Sequence, residues 1–199
     1  MSDLTPGDIL LTRATGVVPA LIRFGERVRY QGWWRAVGHL LQKAVGVAQP
    51  DGPGDPWYVS HAAVFVGDGQ LIEALAHGLT LTPLSRYTGH ETVTVPLAAL
   101  VPDVTGADRT RAVRFAHTQL ERHDRYGWLS IASIILQLVT PARLDVSWDG
   151  ALICSAFAAQ CLEHAGVTLP TRSSLTTMPA DLAAMIPHLP ATSLKGHQS

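Results

Sequence analysis

Three residues in this chain have the types and positions that nucleophilic catalysis requires. Cys154 stands in Leu152-Ile153-Cys154-Ser155-Ala156-Phe157, just after the turn-forming Trp148-Asp149-Gly150, and opens an apolar helical run over about 153–165 that stops at Gly166. Free backbone N–H groups and the positive end of a helix dipole lower the pKa of a thiol placed there, and the same N–H groups can hold a developing oxyanion. Cys161 lies two turns further on among Ala158, Leu162 and Ala165, away from any such terminus, and reads as a small core hydrophobe. His61 begins the run Ser60-His61-Ala62-Ala63-Val64-Phe65, which puts an imidazole at a strand edge where it can face a cleft. Glu73, in Leu71-Ile72-Glu73-Ala74, is a carboxylate inside an apolar strand and needs a partner there. A thiol, an imidazole to take its proton and a carboxylate to orient the imidazole make up the machinery of acyl transfer. The chain contains no Asn, so the orienting role falls to another residue type.

Whether the three meet depends on how the chain turns between them. Residues 60–66 and 70–75 read as two strands joined through Gly67-Asp68-Gly69. A three-residue turn with Gly69 left-handed sets Ala63 opposite Glu73 and makes His61 its diagonal neighbour on one face. A two-residue Asp68-Gly69 turn instead sets Glu73 opposite Val64, on the wrong face. Further strands are expected at Ile9-Leu10-Leu11-Thr12 after the turn Pro6-Gly7-Asp8, near 79–83, and over 91–96 where Val93 and Val95 alternate with Thr92 and Thr94. Helices are expected from an Asp108 cap to about Arg122, with Arg109, Arg111, Arg114 and Arg122 as a solvated face, over 128–139 as a buried helix, and from Met178-Pro179-Ala180-Asp181. Residues 17–47 are helical in two pieces, striped by Val18, Leu21, Ile22 and Phe24 and then by Trp34, Val37, Leu41 and Val45. These read as core-facing helices, or as a lid or partner-binding arm, the adjacent Trp33 and Trp34 leaning toward the latter. The turn-rich 49–56 makes 30–56 an insertion or lid within a single domain over 1–187, with 188–199 a flexible tail. The pattern as a whole is α+β, an antiparallel, partly meandering sheet packed against helices.

The hairpin from Ser60 to Ala74 resembles the His strand of the NlpC-type papain-like amidases, with the third polar residue twelve positions after the His. Pro6-Gly7-Asp8-Ile9-Leu10-Leu11 before it, and Cys154-Ser155 opening a helix after it, resemble the circularly permuted branch, which includes the YiiX-like and lecithin:retinol acyltransferase-like proteins. In that branch the Cys follows the His, as here. The resemblance covers about 6–23 and 58–166, and 30–56 is longer than the branch usually carries. It implies a papain-like fold and acyl transfer through a thioester, with Cys154 as nucleophile, His61 as general base and Glu73 as polar orienter. Ser155, Tyr58 and Tyr126 are its candidates for oxyanion or substrate contacts.

Composition bounds the partners. The 199 residues are 47% hydrophobic and 16% charged, enough for a self-standing core, and 15 Lys and Arg balance 16 Asp and Glu. A net charge of -1 provides no electrostatic footprint for a phosphate backbone, so nucleic acid is not an expected partner. The start of the chain shows no export signal, which implies cytoplasmic synthesis, with release or incorporation into a phage or secreted assembly left open. The apolar run 128–139 is too short for the roughly 20 residues of a membrane-spanning helix. On one helix Cys154 and Cys161 would be separated by roughly 10 Å of rise, beyond disulfide reach. Nine histidines form no zinc motif, and Gly67-Asp68-Gly69 lacks the Lys-Ser/Thr of a phosphate loop, so no metal or other cofactor is expected. Three functions follow: a cysteine hydrolase cleaving an amide in a peptide or peptidoglycan stem, an acyltransferase, thioesterase or amidase acting on lipid acyl groups, or a structural or adaptor protein without turnover.

Overall fold

The computed structural model describes residues 4–13, 17–44, 46, 55, 58–75, 78–122, 154–171, 173–186 and 192–193. The expected helix over 128–139, Tyr126 and most of the turn-rich 49–56 lie outside them. The architecture is α+β. Six strands, β1 (Ile9–Thr12), β2 (His61–Gly67), β3 (Gln70–Leu75), β4 (Gly78–Pro83), β5 (Glu91–Val95) and β6 (Thr192–Ser193), form one sheet in the order β4-β3-β2-β1-β5-β6. Every pairing is antiparallel. β1 is central, and all four of its residues are buried, which is why its sequence is a continuous apolar run rather than an alternation. Within the expected tail, Thr192 and Ser193 pair with Thr92 and Glu91 as a short edge strand.

The β2–β3 hairpin combines the two turns that the sequence leaves open. Asp68 (φ 49°) and Gly69 (φ 67°) form a two-residue loop with both residues left-handed, closed by the Gly67–Gln70 pair. A β-bulge between Phe65 and Gly67 then places one extra residue, Val66, on β2. Without the bulge Glu73 would face Val64. With it, Ala63 faces Glu73, and the register is the one that the three-residue turn would have produced.

One sheet face, carrying Ile9, Leu11, Ala62, Val64, Ile72, Val93 and Val95, packs on α4 (Gly106–Glu121) and α5 (Cys154–His164) through Ala112, Ala116, Phe157, Ala158, Cys161 and Leu162. The small alanines let the helices approach the sheet closely. The other face holds a smaller cluster of Leu10, Ala63, Phe65, Leu71 and Tyr87, the last from a 3-10 turn at Leu84–Tyr87.

Three local expectations change. The N-cap of α4 is Thr105, and Asp108 occupies the third helical position of a capping box, its carboxylate accepting from the Thr105 N–H at 2.7 Å. Arg109 does not belong to a solvated arginine face, since its Nη1 donates to Pro6 O and Asp8 Oδ1, both at 2.9 Å. The buried Asp8 also accepts from the backbone N–H of Thr5 and of Leu97, the first residue of α3 (Leu97–Leu100). Pro6-Gly7-Asp8 thus ties β1 to two helices, and Gly7 (φ 93°) sits where a Cβ would press on Leu97 Cδ2 at 3.3 Å. Finally, the N-terminal helices α1 (Val17–Gln31) and α2 (Trp33–Ala44) are separate pieces as expected, but the Trp34–Leu41 stripe of α2 faces outward, not into the core.

Candidate active site

His61, as the first residue of β2, stands at the end of the sheet. Glu73 shares its face one diagonal step away, and the His61 Nε2 to Glu73 Oε2 distance is 2.6 Å. Cys154, the first residue of α5, packs on Ala74 and Leu79, on the opposite side of the sheet from Glu73. The imidazole bridges the two sides around the strand end. With Nε2 engaged by Glu73, Nδ1 remains for the Cys154 sulfur, its other hydrogen-bond partner. The structure therefore brings Cys154, His61 and Glu73 together.

The electrostatics of this group are coupled. Burial alone would push the Cys154 thiol pKa up, but the positive charge of His61, its hydrogen bond and the backbone N–H groups of Ala62 and Ser155 outweigh that and lower it. Burial alone would likewise lower the His61 pKa, yet the thiolate and then Glu73 raise it to about 10. Glu73 is wholly buried, which opposes ionisation, but the hydrogen bond from His61, the nearby Thr82 hydroxyl, the hydrogen bond from Tyr87 and the imidazolium charge hold it down at about 2. A thiolate–imidazolium pair backed by a fixed carboxylate is the state that these shifts favour.

The sequence reading missed three groups around this site. The Tyr87 hydroxyl donates to Glu73 Oε2, the same oxygen that faces His61. Thr82 is near enough to help keep Glu73 ionised, although neither Thr82 Oγ1 nor Glu73 Oε1 completes a hydrogen bond of full geometry. Strand alternation puts Thr80, Thr82 and Glu73 on one face and could have flagged Thr82, whereas Tyr87 arrives through the 3-10 turn, which has no comparable signal. Glu26 on α1 is a fully buried carboxyl whose Oε1 accepts from the Ala180 N–H at 2.9 Å, while its Oε2 has no partner. Burial first, then the negative charges of Asp181 and Cys154, raise its pKa well above the usual carboxylate range. A carboxylate in an otherwise cationic and apolar helix is the signal that could have singled it out.

The remaining candidates divide. Ser155 is buried, and its hydroxyl donates to Thr177 O at 2.7 Å, so its backbone N–H rather than its side chain faces the sulfur. The Tyr58 ring lies under Arg13, at 4.8 Å, and its hydroxyl bonds to Glu91. Burial and Glu91 raise its pKa. Cys161 is buried in the core, and burial pushes its thiol pKa up, the reverse of Cys154. Among the described residues no group of three or more His, Cys, Asp or Glu could hold a metal ion, and no helix is long and apolar enough to cross a membrane. A cleft of about 850 Å³ lined by Arg29, Leu100, Pro170, Thr171 and Asp181 includes none of Cys154, His61 or Glu73 in its wall.

Compared with known proteins, the chain matches no family model and no curated protein.

Proposed function

We propose that this protein is a cysteine hydrolase that cleaves an amide bond through a thioester at Cys154. The observation that carries this reading is the imidazole of His61, held between a buried carboxylate and a thiol whose pKa its charge lowers. In the first step the Cys154 thiolate attacks the carbonyl carbon, and the imidazolium of His61 protonates the departing amine as the C–N bond breaks. Backbone N–H groups in the first turn of α5, which begins at Cys154, receive the oxyanion. In the second step His61 takes a proton from water, the hydroxide attacks the thioester, and the acid and the thiolate are released. Glu73 fixes the ring orientation throughout, and Tyr87 fixes Glu73. The sequence order of His before Cys, the antiparallel sheet and the Cys at a helix start are those of a permuted papain-like, NlpC-type fold, for which the substrate would be a peptide or peptidoglycan stem.

A second reading, acyl transfer or hydrolysis on lipid acyl groups by the same residues, is favoured by the exposed apolar face of α2. A purely structural or adaptor role leaves the lowered thiol pKa without a use. Mass spectrometry of the intact protein after exposure to peptidoglycan fragments, and separately to acyl thioesters, tests all three. An adduct on Cys154 that is absent from Cys154→Ala supports acyl transfer, and the reagent that forms it selects the substrate class. A Cys154 that stays unmodified by both and titrates as an ordinary thiol sinks the enzymatic readings.

A further inference from the structure

α2 carries its largest apolar side chains on the outside. Trp34 is 84% exposed, Leu41 62%, Leu40 54% and Trp33 44%, whereas Ala36 is the one buried residue of the helix. At 100° per residue, Leu40, Trp33, Ala44, Val37, Leu41 and Trp34 fall in that angular order across a sector about 120° wide. Arg35, His39, Gln42 and Lys43 occupy the opposite side, so the polar face is cationic and has no acid. The buried Ala36 lies at the margin between the two, and α2 packs on α1, where Trp33 meets Phe24 edge-on at 5.8 Å between centroids.

The charge distribution of the chain sharpens this. Residues 27–50 contain no Asp or Glu, in a protein where 16 acids outnumber 15 cations; Arg27 is buried and Arg29 pairs with Asp181, while Arg35 and Lys43 lie on the exposed polar side of α2. A water-exposed Trp and Leu face backed by a Lys and Arg face suits a helix lying in the plane of a lipid surface. There the rings and leucines enter the headgroup and acyl boundary while the cations reach the phosphates.

We propose that α2 docks in-plane on an anionic phospholipid surface through Trp33, Trp34, Leu40 and Leu41, with Arg35 and Lys43 at the lipid phosphates. This surface stands whether or not Cys154 performs acyl transfer, because its readout is binding.

Sedimentation of the full chain with phospholipid vesicles tests it. The vesicles are phosphatidylcholine alone, or phosphatidylcholine with about one quarter phosphatidylglycerol. The protein is expected to sediment with the anionic vesicles, less with the neutral ones, and less as salt rises from about 0.1 M to about 0.5 M. Trp34→Ser with Leu41→Ser should weaken binding to anionic vesicles at least about tenfold. Arg35→Gln with Lys43→Gln should weaken it about 25-fold, roughly fivefold per cation, with little effect on neutral vesicles. All four positions are exposed, so circular dichroism melts should match wild type, and Leu81→Ser, at an exposed leucine on β4, should bind normally. The proposal is overturned if wild type ignores anionic vesicles or if both double variants bind as wild type does. It is also overturned if wild type forms a dimer that Trp34→Ser with Leu41→Ser dissolves and no vesicle binding is seen.

Discussion

His61 Nε2 lies 2.6 Å from Glu73 Oε2 because β2 holds one residue more than β3, the bulged Val66. Remove that residue from the register and Glu73 turns to the helix-packed face, where a carboxylate has no partner. The bulge is therefore as much a part of the candidate site as the side chains it aligns. It explains why a two-residue turn, which by itself sets the wrong face, coexists with the His61–Glu73 contact.

The thiol should show its activation directly. An ordinary thiol near pKa 8.5 is only about 1% thiolate at pH ~6.5, and its alkylation rises about tenfold per pH unit below its pKa. Cys154, lowered by His61, should react with iodoacetamide at a rate nearly flat from pH ~6.5 to ~8, and His61→Ala should restore the steep rise. Absolute rate discriminates less well, because nucleophilicity falls as pKa falls. In folded Cys161→Ala the label should be unchanged, since that thiol is buried and its pKa is pushed up. Peptide mapping that finds the label on Cys161 would reassign the nucleophile.

Glu73→Gln should reduce turnover at least about tenfold while leaving the fold intact, because an amide fills the space but stabilises the imidazolium less. Tyr87→Phe removes a charge-assisted hydrogen bond to the same carboxylate while leaving the His61 contact in place, and should cost about tenfold. The acid limb of stability should also respond. The Glu73 pKa falls from 4.5 to about 2 on folding, so its contribution is present above pH 4.5 and is lost as pH drops toward 2. That contribution is up to about 3 kcal/mol. It is the same ion pair that, after the Cys154 thiolate, raises His61, and it counts once. Urea titrations from pH ~5 to ~2 should show a shallower decline for Glu73→Gln than for wild type.

Glu26 should act with the opposite sign. Its pKa is raised above the 4.5 of an unperturbed Glu, so the folded state keeps a proton that the unfolded chain releases. Its contribution is full below pH 4.5 and declines as pH rises toward the folded pKa, by about 1.4 kcal/mol per pH unit. Glu26→Gln retains an oxygen for the Ala180 N–H and does not titrate. The variant should gain stability relative to wild type as pH rises from ~5 to ~7 in urea denaturation. Parallel curves across that span would mean that Glu26 does not hold its proton in the folded protein.

Asp8→Ala should destabilise the protein by about 3 kcal/mol in urea denaturation, since it strands the largely buried Arg109 guanidinium and the N–H groups of Thr5 and Leu97 together. Asp8→Ala combined with Arg109→Met should recover part of that loss by removing the stranded charge. A single variant as stable as wild type would reduce the Asp8 cluster to a surface feature.

Much of this architecture is legible in the sequence because its signals are local. The apolar run of β1, the Thr and Val alternation of β5, the break at Gly32 between α1 and α2 and the start of a helix at Cys154 each follow from side-chain periodicity and backbone preference within a few residues. The types of Cys154, His61 and Glu73 are likewise plain in the sequence, and they are the types that the proposed acyl transfer needs. What only the tertiary structure decides is which side of the sheet each residue meets and what lies across from it. Local propensity at Asp68-Gly69 selects the two-residue turn, while burial of the β2 and β3 apolar sets selects a register that the turn alone does not yield, and the bulge at Val66 reconciles the two. Tyr87 reaches Glu73, and Ala180 reaches Glu26 across 154 positions of chain, only because packing closes those distances. The outward stripe of α2 is the converse case. Periodicity fixes that Trp34, Val37 and Leu41 share a face, but a helix turns that face toward whatever apolar surface is at hand, and the sheet is already covered by α4 and α5.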